Sequence, residues 1–139
     1  MSYRDMLQAY GLEESGYETR KRQHLEDDLQ AAVCMFLRWA LPWDATFWAV
    51  PNGGKRHVVE AQRMSRLGVR PGVPDLHVVY RGRLYCLELK APKGVLSGVQ
   101  MQMIEKLTKC GVKTAVVRSV EDVEHALRTW SIPLSAKLS

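Results

Sequence analysis

The chain has no long apolar run. Nothing in its 139 residues approaches the ~20 consecutive apolar residues of a membrane-spanning helix, so no membrane partner is expected. The opening stretch, MSYRDMLQAY, has no basic start followed by an apolar segment, and no secretory signal is expected from it. Cysteine is scarce. Cys34, Cys86 and Cys110 lie far apart, without CxxC or Cys/His spacing, which supports neither a disulfide framework nor a zinc site. Three reduced thiols in a cytoplasmic protein are the expected state. Hydrophobic residues at 46% and charged residues at 25% exclude disordered and low-complexity classes. The length fits one domain, large enough to bury a core without staples.

Acidic residues are scarce in one region. The net charge is +5, but residues 1–50 carry −3, residues 51–100 carry +6 and residues 101–139 carry +2. A basic concentration attracts polyanions, nucleic acid being the commonest, although a solvated basic face needs no function. Within residues 51–100 only Glu60, Asp75 and Glu88 are acidic. A carboxylate facing phosphate is useful only if a cation lies between them.

Periodicity organises the chain. A short helix over residues 2–10 is followed by a polar linker or arm at Gly11–Arg22, so residues 1–23 stand apart from a domain at 24–130 and a tail at 131–139. Leu25, Leu29, Ala32, Val33, Phe36, Leu37, Ala40 and Leu41 recur at helical period, and Pro42 stops that helix. Ala45–Val50 reads as a strand, Pro51–Lys55 as a loop and His57–Leu67 as a second helix. Strands at Asp75–Tyr80 and Arg83–Lys90 are separated by Arg81-Gly82, a hairpin spacing. A helix at Ser97–Cys110, a strand at Lys113–Arg118 and a helix at Val120–Trp130 complete the chain. This order predicts an α/β fold, a mixed central sheet flanked by helices. Trp39, Trp43, Trp48 and Trp130 read as core or dimer contacts.

The hairpin has a chemical consequence. With Arg81-Gly82 as a two-residue loop, Tyr80 pairs with Arg83 and Asp75 falls directly opposite Glu88. Their Cβ atoms are then about 4.5–5.5 Å apart, where like charges repel. A proton, the nearby Lys90 or a divalent cation must compensate, and hard oxygen ligands suit Mg²⁺ or Mn²⁺. Lys90 follows Glu88 by two residues on the same face, where it can hold or activate a water or act simply as counter-ion. His77 shares that face by parity, although a lone histidine is more often structural. Arg63 and Arg66, at i and i+3, share one helix face. With Lys55, Arg56, Arg70 and Lys93 they are candidates for phosphate contact, which supplies affinity without sequence information. Asn52-Gly53-Gly54 allows close backbone approach to a nucleic-acid strand, or is an ordinary turn.

Gly72-Val73-Pro74-Asp75, twelve further residues, then Glu88-Leu89-Lys90 resembles the PD-(D/E)xK nuclease signature. More narrowly, the chain resembles the VRR-NUC branch of that superfamily. The likeness runs from about Glu26 to about Arg128. It includes Glu26-x-x-Leu29-Gln30, Pro51-Asn52-Gly53-Gly54, Arg70-Pro71-Gly72, Ala91-Pro92-Lys93-Gly94 and Ser97-x-x-Gln100.

The resemblance implies a restriction-endonuclease-like αβββαβ core and metal-dependent hydrolysis of DNA phosphodiesters. It implies Asp75, Glu88 and the Leu89 carbonyl as ligands of Mg²⁺, with Mn²⁺ as substitute. Glu26 is implied as a further ligand of the metal or its water, and Gln100 as a neighbour of the centre. On local grounds alone, Glu26, Asp27 and Asp28 suit the first turn of a helix, and Ser97-x-x-Gln100 is a capping box. Stand-alone members of the branch, from phage and bacteria, imply a cytoplasmic homodimer acting on branched DNA such as four-way junctions. No organic cofactor is expected. A non-catalytic DNA-binding module and an accessory subunit retaining the fold are the competing functions.

Overall fold

The computed structural model describes residues 14–51 and 58–135. The expected helix at residues 2–10 lies outside them, as do Asn52, Gly53, Gly54, Lys55 and Arg56. The elements are α1 (Glu14–Ala40), β1 (Ala45–Ala49), α2 (Val58–Arg66), β2 (Leu76–Tyr80), β3 (Arg83–Leu89), α3 (Gly98–Lys109), β4 (Lys113–Val117) and α4 (Val120–Thr129). Among the described residues four strands form one mixed sheet in the order β1-β2-β3-β4. The first two pairings are antiparallel and the last is parallel, as a β3-α3-β4 crossover requires.

The long helix corrects one boundary. α1 begins at Glu14, so residues 14–22 are helical rather than a linker. This segment has no apolar stripe of its own. Its Glu, Lys and Arg residues are good helix formers, and elongation upstream of a packed turn costs no new nucleus. Downstream the buried stripe is Val33, Phe36, Leu37 and Ala40, spaced i, i+3, i+4, i+7. Leu25 is exposed, as is Ala32, so the packed face is narrower than the apolar pattern suggests.

α1 and α4 pack on one face of the sheet. Leu76 and Val78 of β2, Tyr85, Leu87 and Leu89 of β3, and Val117 of β4 form a cluster with that α1 stripe and with Val123, Ala126 and Leu127 of α4. The expected tail takes part in the fold. Ile132 is buried in this core, and the Ser135 N–H and hydroxyl both donate to the Ala40 carbonyl, at 2.7 and 3.0 Å. They satisfy an end-of-helix acceptor that otherwise has no partner within α1. Trp130 stacks on Tyr85 with ring centroids 5.0 Å apart. Trp39, Trp43 and Trp48 are exposed, Trp43 at 95%, and so are not core residues. α3 occupies the opposite face, where Cys86 and Met103 are buried.

The hairpin has the expected register, with Tyr80 paired to Arg83 and Leu76 to Leu87. Arg81 and Gly82 have φ of 50° and 75°. Positive φ at both central residues is the type I′ geometry that suits the twist of a two-residue hairpin. Arg81 accepts the left-handed conformation and lays its guanidinium 5.4 Å from the centre of the Tyr80 ring.

Candidate active site

The register, carried one step beyond Leu76–Leu87, sets Asp75 opposite Glu88 at the open end of the hairpin. Backbone contacts hold both strands there. The Val50 N–H donates to the Asp75 carbonyl at 2.8 Å. The Leu89 N–H donates to Asp75 Oδ2, also at 2.8 Å. A strand residue's N–H and C=O point to the same edge, so the Leu89 carbonyl faces the Asp75 side. Gly72 guides the chain into this corner. Its φ is +80°, and a Cβ built there would lie 2.7 Å from the Val99 carbonyl oxygen. The loop before β2 therefore rests directly on the first turn of α3.

Glu88 is 1% exposed and Lys90 8% exposed, which is rare for either residue type unless paired. Gln100 of α3 donates its Nε2 to Glu88 Oε1 at 3.0 Å. The other oxygen, Glu88 Oε2, is buried with no donor among the described residues, and the Glu88 carboxyl hydrogen-bonds Asp75 only when one of the two carries a proton. Burial, and next the charge of Asp75, push the Glu88 carboxyl up to about 8 against the pull of Lys90. Burial also raises Asp75, opposed chiefly by its hydrogen bond from the Leu89 N–H. At neutral pH the pair thus retains about one proton rather than carrying two full charges.

Gln100 serves two roles at once. Its backbone N–H donates to Ser97 Oγ at 3.2 Å, and its Oε1 accepts from the Ser97 N–H at 2.9 Å, a complete capping box. The same amide's Nε2 then points at Glu88. The expected capping box is present, and the same side chain also touches Glu88.

Glu26 is separated from its acidic neighbours. It is half-buried, whereas Asp27 and Asp28 are exposed. Because α1 begins at Glu14, these three acids lie well inside the helix, and the helix-dipole explanation does not apply to them. Glu26 Oε1 accepts from the Ala91 N–H at 3.5 Å, a long contact. Its charge also contributes to raising Glu88. Among the described residues no three His, Cys, Asp or Glu side chains converge as a ready metal cluster; the candidate centre is the Asp75–Glu88 pair with the Leu89 carbonyl.

The pair fits a divalent cation by its donor chemistry. Two opposed carboxylates and a carbonyl are hard oxygen donors, and Glu88 Oε2 is a buried acceptor lacking a donor. A cation would take the place of the proton that the pair otherwise retains, relieving the repulsion between the carboxylates.

Other expected residues divide. His77 faces Cys86 across the hairpin and Trp48 across β1, with the Trp48 ring 5.9 Å away edge-on. It hydrogen-bonds the Pro74 carbonyl, while burial lowers its pKa, which is a structural environment. Burial pushes the Cys86 thiol up to about 11, leaving it protonated and unreactive at neutral pH. Arg63, Arg66, Arg70 and Lys93 are exposed. Arg63 approaches Glu60 at 3.7 Å, an exposed pair worth little.

One residue escaped sequence reasoning. Arg118 Nη1 donates to the carbonyls of Ala91 and Gly94, both at 2.7 Å, and more distantly to that of Pro92 at 3.4 Å. These acceptors form the loop directly after Lys90. As one more basic residue following a strand, Arg118 had no local signature.

Comparisons with known proteins bear on the fold and the family. No curated protein matches the chain. A solved structure described as a VRR_NUC domain protein shares the fold, with TM-score 0.60 and 20% identity over 78% of this chain and 90% of the other. The family model for the VRR-NUC domain matches residues 13–121. That span runs from the start of α1 into α4 and takes in Glu26, Asp75, Glu88, Lys90, Gln100 and Arg118, so the chain belongs to the VRR-NUC family of nuclease domains.

Proposed function

We propose that this protein is a Mg²⁺-dependent DNA endonuclease, selective for branched DNA such as four-way junctions and acting as a homodimer. The observation that carries the reading is the opposed Asp75–Glu88 pair, Asp75 half-buried and Glu88 fully buried, set in the most basic third of the chain. A binding module has no use for two opposed carboxylates, one of them fully buried, beside phosphate.

Asp75, Glu88 and the Leu89 carbonyl would hold the cation, with Mn²⁺ as substitute and Glu26 reaching the metal or its water. Bound there, it supplies a Lewis acid for the phosphoryl oxygens and a more acidic water. The chain's own groups do the remainder. Gln100 fixes the Glu88 carboxyl by donating to Oε1, which leaves Oε2 for the centre. Lys90, held in place by its backbone N–H on the Val117 carbonyl at 3.0 Å, orients or deprotonates the attacking water and offsets charge on the phosphate. Arg63, Arg66, Arg70 and Lys93, with Lys55 and Arg56 outside the described residues, contact the DNA backbone. Exposed Trp39 and Trp43 supply apolar surface for a two-fold contact, which would present two sites to a symmetric branch.

The test is cleavage of a labelled four-way junction beside a linear duplex and a single strand, by wild type and Lys90→Ala, in Mg²⁺, Mn²⁺ or EDTA. Cutting by wild type only, with metal only and on the junction first, is the expected result. Tight binding without cutting in any metal overturns the catalytic reading in favour of a binding module. Equal cutting of duplex and junction removes the structure selectivity. A monomer by sedimentation at the assay concentration removes the dimer.

A further inference from the structure

Arg118 is none of the candidate ligands, water-activating groups or phosphate contacts, yet its side chain makes three hydrogen bonds to the loop that follows Lys90. Its own backbone is held first. The Arg118 N–H donates to Asp122 Oδ2 at 2.9 Å, and the Asp122 N–H donates to Ser119 Oγ at 3.1 Å, the N-cap of α4. The start of α4 therefore fixes where the Arg118 side chain begins.

From there one guanidinium nitrogen gathers the carbonyls of Ala91, Pro92 and Gly94. Carbonyls turned inward on one another repel, and a cationic donor among them is what holds such a loop closed. The loop closes on itself as well, through the Gly94 N–H and the Ala91 carbonyl at 2.9 Å. Ala91 and Gly94 are buried although the loop carries exposed Pro92 and Lys93.

The loop's other side faces Glu26. The Ala91 N–H reaches Glu26 Oε1, and a Cβ on Gly94 would stand 3.4 Å from that same oxygen. Arg118 and Glu26 thus contact the same short turn, and that turn is the direct continuation of Glu88-Leu89-Lys90. We infer that Arg118 is a positioning residue: it clamps the Ala91–Gly94 turn so that Lys90 and Glu26 are set against the Asp75–Glu88 pair. The inference rests on the nuclease reading of that pair. One nitrogen, Nη1, makes all three contacts; the planar guanidinium holds that nitrogen in a fixed orientation, whereas a lysine ammonium is a flexible point donor, so lysine replaces it only in part.

The experiment compares wild type, Arg118→Ala and Arg118→Lys in the full chain. Three quantities are measured: single-turnover junction cleavage with Mg²⁺, junction binding in EDTA, and amide exchange in the metal-free protein. In Arg118→Ala, exchange at Gly94 accelerates at least about tenfold while amides of the β2–β3 ladder keep wild-type protection, which separates a loosened turn from a loosened fold. Cleavage falls about 10–100-fold, the usual cost of misplacing reacting groups by about an ångström, and binding stays within about twofold. Arg118→Lys recovers part of both losses. Unchanged exchange at Gly94 overturns the clamp. Faster exchange with unchanged cleavage overturns the positioning role. Binding lost in proportion to cleavage makes Arg118 a phosphate contact instead and also overturns it. Absence of cleavage by the wild type defeats the nuclease reading, and the positioning role with it, whereas the exchange result still decides whether the clamp exists.

Discussion

Replacing Glu88 by glutamine should stabilise the metal-free protein while abolishing its cleavage. The side chain is 1% exposed, and its carboxyl is pushed from an ordinary 4.5 to about 8 by burial and then by Asp75. In the unfolded chain the proton leaves near 4.5; in the folded chain it is retained until about 8. Between these values the folded state binds more protons, so stability contributed by the group is full below pH 4.5 and is lost as pH rises toward 8. One proton is worth 1.36 kcal/mol per pH unit. From pH 5 to 7 that gives a ceiling of about 3 kcal/mol, and the share taken by Asp75 makes a loss of about 1–3 kcal/mol the expectation. Glutamine has no proton to lose, can still accept from Gln100, and can donate toward Asp75. Urea unfolding in EDTA at pH 5, 6, 7 and 8 measures this, and the difference between wild type and Glu88→Gln cancels the other titrating groups. Wild type should fall relative to the variant as pH rises, and Mg²⁺ should restore wild type alone, by about 2.7 kcal/mol at a hundred times its Kd. A variant less stable than wild type at pH 8 in EDTA, or a pH-independent difference, would refute the strained-pair account.

Gly72→Ala should destabilise by about 2–4 kcal/mol in thermal or urea unfolding, because a Cβ there meets the Val99 carbonyl at 2.7 Å on a backbone with φ of +80°, and both strain and backbone displacement add. Arg81→Asn should stabilise by about 0.5–1 kcal/mol in the same assay, since Asn-Gly suits the type I′ turn at φ 50° and 75° better than Arg-Gly; a loss of stability would mean that the Arg81–Tyr80 contact outweighs the turn. Gln100→Ala should cost about 1 kcal/mol through loss of its side-chain bonds to the Ser97 N–H and to Glu88 and reduce junction cleavage at low Mg²⁺ more than at high Mg²⁺. Equal loss at both concentrations would separate Gln100 from the orientation of Glu88.

Short-range pattern made much of this protein legible from its residues. The alternation in β2 and β3 and the two-residue spacing at Arg81-Gly82 determine a register, and a register determines that Asp75 opposes Glu88. Ser97 and Gln100 determine a cap, and Val33, Phe36, Leu37 and Ala40 determine the buried face of α1. Each of these is a contact between near neighbours along the chain or across one turn, so its geometry follows from 3.6- or 2-residue periodicity.

What only the tertiary structure decided lies across longer separations. Glu26 differs from Asp27 and Asp28 because one side of α1 meets the Ala91–Gly94 turn, and the start of α1 at Glu14 removes the helix dipole as an explanation of all three. Arg118 became visible only when β4 lay parallel beside β3 and brought its guanidinium to carbonyls 24 to 27 residues earlier in the chain. The protonation of Glu88 is likewise a property of burial, set by α3 and the sheet together. Periodicity specifies which face a side chain takes. Desolvation and long-range hydrogen bonds depend on what the rest of the fold places against that face, and no local pattern encodes it.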